Sequence, residues 1–298
     1  MASESKLLKI LSERLSYVTG VADWSDVQLK KLQKDLLELL KDYTANFDRV
    51  DGIITMNARN MALVNRMDTV FNEFAKDYAD SYLKGLGNKM LDMQAFSGKY
   101  YTAMGFGIDT KSIRNRLGWM SERIGIKDGK IISGSFLDTL ANDPKVRTEI
   151  KSFMMGQVGN PNSTAKGLRE GLTKLVTGTT EVGGTIERSV RSYVHDTVFQ
   201  VDAAIDEAYA EDLGLKYFIY QGSLIDDSRQ FCIDRVNKVF SKEDTKTWYD
   251  DPNLPKAKGE TKEAYNPTVD RGRWNCRHII RWITEELAKE LGYEPVKV

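Results

Sequence analysis

Along the first 215 residues apolar side chains return every three or four positions, the period of amphipathic helices. After Ser25, a candidate N-cap, one stripe runs Leu29, Leu32, Leu36, Leu39, Tyr43 and Phe47. A longer stripe follows through Met61, Val64, Met67, Phe71, Phe74, Tyr78, Tyr82 and Leu86. Gly85, Gly87 and Gly98 predict a kink or break at its far end, because glycine is a poor helix former. Long stripes with few caps predict an extended helical hairpin whose apolar faces form a bundle core. A second use of such a stripe is to dock on another protein or on a copy of the same chain. Shorter helices are expected over 111–124, 144–155 and 163–176, and the Thr- and Gly-rich stretch 177–184 reads as a linker. Beyond it Ile186, Val190, Val194, Val198, Val201, Ile205 and Tyr209 mark a strong helix that Gly214 closes.

The texture then changes. Residues 216–221 are aromatic and β-branched and predict a strand. A short helix over 226–236 and a second strand starting at Val239 and Phe240 follow. The stretch 251–267, with Pro252, Pro255 and Pro267, reads as a loop. A last strand over 278–283 leads to a closing helix that Ile283, Leu287 and Leu291 would hold to the core. The expected fold is α+β and predominantly α. An elongated helical body spans residues 1–180, and a small α+β module with a short sheet spans 184–298.

Charge narrows the function classes. Lys plus Arg equals Asp plus Glu, 43 against 43, and the balance holds locally at both ends of the chain. A protein that coats nucleic acid needs a basic face, because phosphate binding runs on counterion release. Bulk charge therefore gives no support to that role. Two cysteines in 298 residues argue against a disulfide-stapled fold. No apolar run reaches the length of a membrane span, and the first residues carry charges where a signal peptide needs an apolar stretch. Folding in a cytoplasm, with no membrane partner, is the expectation.

The scarce residue types are gathered at one end. Both cysteines and one of the two histidines fall in Asp226-Asp-Ser-Arg-Gln-Phe-Cys232 and Arg271-Gly-Arg-Trp-Asn-Cys-Arg-His278. Two thiols and an imidazole are donors that suit zinc. Cys276 and His278, two apart on a strand, would face the same way, and Cys232 would add a third ligand if its helix packs on that strand. Asp227, Asp226, water or His195 are the choices for a fourth. The bland alternative makes the cysteines small buried hydrophobes and His278 a satisfied polar group. Asp226 and Asp227 read better as a helix cap than as paired catalytic carboxylates. Arg271, Arg273, Arg277 and Arg281 form a basic strip around Trp274 and Trp282, suited to a nucleic-acid backbone or partner contact. The favoured reading pairs these arginines with Asp226, Asp227 and Asp270 inside the module, and makes both tryptophans core or strand-face residues.

In order and spacing, the helix over 186–214, the strand over 216–221, Asp226–Cys232, Asn237-Lys-Val-Phe240 and Asn275-Cys-Arg-His278 resemble the C-terminal domain of phage Mu F-like minor head proteins, the head-morphogenesis family. The likeness covers about residues 184–284. Three departures stand out. His278 replaces a final cysteine, Arg229 stands where some members carry a second thiol, and the leading helix reads Arg191-Ser-Tyr193 where Arg-Thr-Glu is frequent.

The resemblance implies a virion component near the portal, inside the capsid, acting structurally in head morphogenesis and in DNA packaging or ejection. Its implied partners are the portal protein and the major capsid protein, with self-association through the N-terminal helices and only peripheral contact with genomic DNA. One structural zinc would sit in the module, and Asp226, Arg229, Trp274 and Asn275 would hold its frame. The rival reading is an enzyme, a metal-dependent nuclease or toxin-type effector carried in the head.

Overall fold

A computed structural model describes residues 4–108, 124–127, 130–141, 144–256 and 258–293. The helix expected over 111–124 lies outside these residues, save Ile124. The chain is mostly helical, with long N-terminal helices and a small C-terminal three-stranded antiparallel sheet. It divides into two compact units made of separated stretches. One comprises Met1–Ala22, Asn88–Ser121 and Val194–Val298, the other Asp23–Gly87 and Glu122–Tyr193.

In the second of these units the apolar stripes are spent on core. The first helix, Glu4–Ala45, passes through position 25 without interruption, so Ser25 is not a cap. Its hydroxyl is buried and lies 2.7 Å from the Tyr82 hydroxyl, a tertiary partner that makes serine tolerable inside a helix. Leu29, Leu32 and Leu36 are buried as the spacing predicts, but further on Leu37 and Leu40 are buried while Leu39 is only half-buried. The second stripe is divided among helices Ala58–Arg66 and Asp68–Asp77, a π-helical turn Tyr78–Leu83 and helix Lys84–Asp92. Breaks fall at Met67 and Met93, and the π turn carries Tyr78 and Tyr82 stacked at 5.4 Å. The 177–184 segment is a tight turn, not a loose linker: Gly178 pairs with Gly183, and Thr179 N–H donates to the Val182 carbonyl at 2.7 Å.

The other unit contains the sheet. Helix Thr185–Asp212 ends in a left-handed Gly214, φ 68°, with Leu215 N–H donating to the Ala210 carbonyl at 2.8 Å. The central strand Tyr217–Gln221 pairs antiparallel with Lys238–Ser241 on one side and Ile279–Ile283 on the other, in the register Phe218 opposite Phe240 and Trp282. Trp248, on the 3-10 segment Asp244–Asp250, meets Phe218, Phe231 and Phe240 edge-on at 6.0, 5.7 and 5.3 Å. Each such pair contributes about 0.5–1.5 kcal/mol beyond its buried area. The closing helix Glu285–Glu290 is capped by Thr284 and buries Ala288, whereas Leu291 is exposed and does not make the expected core contact.

A polar cluster that no periodicity announces also lies in this unit. Arg14 donates to both carboxylate oxygens of Asp202, at 2.9 and 2.7 Å, and its other terminal nitrogen is 3.0 Å from Asp206. All three residues are essentially solvent-free. Burial raises the Asp206 carboxyl above its ordinary range, with the Arg14 charge opposing. Among the described residues, no helix is long and apolar enough to cross a membrane.

Candidate metal centre

The two motif segments are tied together by one arginine side chain on backbone carbonyls. Residues 226 and 227 form a turn in which the Ser228 hydroxyl accepts from Ile225 N–H at 2.8 Å. The helix that follows is only Gln230–Ile233, with Arg229 at its cap position and no side-chain cap. Asp226 and Asp227 are therefore exposed turn residues and do not cap a helix. Arg229 instead donates to the carbonyls of Gly272, at 2.9 Å, and Trp274, which fastens the first segment to the second.

The second segment turns by unusual backbone. Arg271, Arg273 and Asn275 all have positive φ, at 50°, 64° and 58°. Asparagine tolerates this region; arginine normally avoids it, and such strain persists only where surroundings enforce it. Three contacts enforce it here. Arg271 is buried and donates to the Phe199 carbonyl at 3.0 Å. Arg273 pairs with Glu260, and Asn275 N–H donates to the Asp196 carboxylate. Cys276 and His278 then sit just ahead of the strand Ile279–Ile283, alternating with exposed Arg277.

The result is a buried cluster of three donors. Candidate ligand atoms of Cys232, Cys276 and His278 all lie within 4.8 Å of one another. The Cys276 sulfur is 3.6 Å from His278 Nδ1. A thiolate and an imidazole on one tetrahedral zinc are held about 3.6 Å apart by bond lengths of about 2.3 and 2.0 Å. The Tyr220 hydroxyl lies 3.5 Å from the Cys232 sulfur and 3.4 Å from the Cys276 sulfur, and its ring stacks on His278 at 5.1 Å. Nδ1 is thus the nitrogen turned to the sulfurs, and Nε2, on the other side of the ring, is buried without a hydrogen-bond partner among the described residues.

Space is reserved as well. A Cβ at Gly272 would stand 2.5 Å from the Cys232 sulfur and 3.2 Å from that of Cys276, so only glycine leaves that gap open. The residues present fit a metal ion.

Electrostatics separate the two thiols. Cys276 is held well below the ordinary thiol range by its hydrogen bond with Cys232, helped by His278, the Arg271 charge and Tyr220. Cys232 is pushed up, first by that same hydrogen bond and then by burial. Of the two thiols, Cys276 thus gives up its proton the more readily. An ion would replace the shared proton and draw both sulfurs as thiolates.

Other residues singled out in the sequence fall elsewhere. Asp226, Asp227 and His195 are not part of the three-donor cluster, although Asp227 lines a cavity beside it. His195 is half-buried on helix Thr185–Asp212. Of the four arginines, Arg271 and Arg281 are buried and Arg273 is paired, which leaves Arg277 exposed. None makes the expected pairing with Asp226 or Asp227: Arg281 donates to the Tyr100 hydroxyl, and Asp270 accepts from Gln200 and from Asn266 N–H. Trp282 is core, but Trp274 is 44% exposed and not a packing residue.

Tyr220, Gly272 and Asp196 were not foreseen. Strand alternation carried the signal for Tyr220, which shares the buried face with Phe218. No family model, curated protein or solved structure matches this chain.

Proposed function

We propose that this chain is a structural minor head protein of a phage, of the Mu F-like head-morphogenesis kind. In this reading it sits inside the capsid near the portal, and Cys232, Cys276 and His278 hold one zinc that stabilises the module. The observation that carries it is the convergence of Asp226–Cys232 and Arg271–His278 into one buried, Arg229-fastened cluster. Those two segments, forty residues apart, are the ones on which the family likeness rests. Zinc supplies folding free energy by joining them.

The partners are protein more than DNA. Net charge is zero, and of the basic strip only Arg277 is exposed with no ion-pair partner among the described residues, so genomic DNA is touched peripherally. Portal and major capsid proteins are the primary partners, with self-association through the N-terminal helices as a further contact. Production in the host cytoplasm precedes incorporation into the head.

Two measurements test this. Purified protein should carry one zinc per chain, lost in Cys276→Ala together with several kcal/mol of stability. A melting temperature indifferent to both chelator and that substitution removes the metal. Co-expression with the portal and major capsid proteins of the same genome should leave the chain in assembled particles; particles that exclude it sink the head assignment.

One observation favours a second reading. Three protein ligands beside a cavity are the pattern of reactive zinc sites, whereas structural sites take four. A metal-dependent nuclease or effector would cleave DNA and lose that activity in Asp227→Ala or His278→Ala.

A further inference from the structure

The metal reading raises the question of the fourth ligand. A tetrahedral ion takes four donors, and the described residues bring three together. The chain has no cysteine beyond the two in the cluster and no other histidine except His195, which is outside it. The cluster forms part of the wall of a cavity of about 570 Å³, a volume within the range of small-molecule sites. Asp227, Arg229 and Arg277 line the same cavity.

We infer that an ion bound by Cys232, Cys276 and His278 takes its fourth ligand from this cavity, and that the ligand is a carboxylate. The inference rests on the metal reading and concerns its chemistry. A divalent ion and two thiolates cancel, and neutral imidazole adds no charge. Of the charged lining residues, Arg229 is offset by Asp196 behind Asn275, and Arg277 remains as the cation placed to meet a monoanion. Arg229 is committed to the Gly272 and Trp274 carbonyls. Arg277 is exposed, with no ion-pair partner among the described residues, and its planar guanidinium matches a carboxylate edge-on. A phosphate dianion would meet the repulsion of Asp227. Exposed Ser223, Ile225 and Asp227 form an accessible rim, so the carboxylate can belong to a small acid or to an acidic side chain of another protein.

The test uses the full chain loaded with Co(II), whose visible ligand-field bands report coordination. Acetate should change these bands saturably, acetamide should not, and inorganic phosphate should bind more weakly than acetate. Arg277→Gln, a surface substitution, should weaken acetate binding at least about tenfold while keeping one Co(II) per chain. A terminally capped tripeptide with a central Asp separates the sources: tighter binding than acetate assigns the site to a protein side chain, weaker binding to a free acid. One bound Co(II) with bands unmoved by acetate or peptide overturns this inference and leaves the metal reading standing. Phosphate binding more tightly than acetate overturns the carboxylate assignment. Failure to bind Co(II) or zinc at all removes both.

Discussion

Two buried polar clusters share one compact unit of this protein, and their chemistry differs in what each lacks. Around Arg14, two aspartates one helical turn apart face a guanidinium that binds both, so the positive partner comes from the chain itself. Around Cys276, two thiols, an imidazole and a phenol converge, and each offers lone pairs. The side-chain cations that act on the two thiols, Arg271 on Cys276 and Arg229 on Cys232, are both spent on backbone carbonyls. A buried cluster that carries its own counter-charge is complete once folded. A cluster made of donors alone is organised to receive a cation.

The contrast breaks most sharply at Arg14. Arg14→Met strips the cation from two buried carboxylates and should cost about 3–5 kcal/mol in urea unfolding, equally with and without chelator. A loss that depends on zinc would mean the two clusters are one system.

Next in size is Tyr220→Phe, which removes the hydroxyl beside both sulfurs. Zinc affinity, measured by competition with a chromophoric chelator, should fall about 10–100-fold, the usual effect of losing an outer partner of a metal ligand. Unchanged affinity would make Tyr220 packing only.

The aspartate cluster should also leave a trace in pH. Asp206 has a raised carboxyl in the fold, so its stabilising contribution is full below its ordinary value near 3.8 and fades as pH climbs through the raised one. Asp202, Arg14, Tyr100, Tyr101 and Tyr209 are charged or titratable groups around it. Asp206→Asn stays neutral, so the wild type should lose stability relative to the variant as pH rises above about 4. Parallel stability curves for the two proteins would contradict this.

The smallest effect belongs to Asp227→Ala, a solvent-facing turn substitution expected within about 0.5 kcal/mol. Zinc content should stay at one per chain. A fall in content would instead make this carboxylate the fourth ligand.

Periodicity and residue scarcity made much of this legible. Stripes through Leu29, Leu36, Val64 and Tyr82 are buried as spacing predicts, and the three strands fall within a residue or two of their expected places. The three rarest donors meet. Long-range partners account for the errors. Ser25 has the composition of a cap, but its partner is Tyr82, fifty-seven positions away. Asp202 and Asp206 sit among apolar neighbours on their helix, and only Arg14 explains their burial. The arginine strip carried no mark of which members would be buried, because that depends on Phe199 and Tyr100, far away in sequence.

Arg229 has a kinetic consequence. Its guanidinium spans the carbonyls on either side of Arg273, so neither motif segment can detach without releasing the other. The amides of Cys232 and Cys276, each closed onto a carbonyl three residues earlier at 2.9 Å, should exchange with deuterium at one common opening energy. Exposed amides of 258–263, between them, should exchange sooner, which makes the two distant segments a single cooperative foldon.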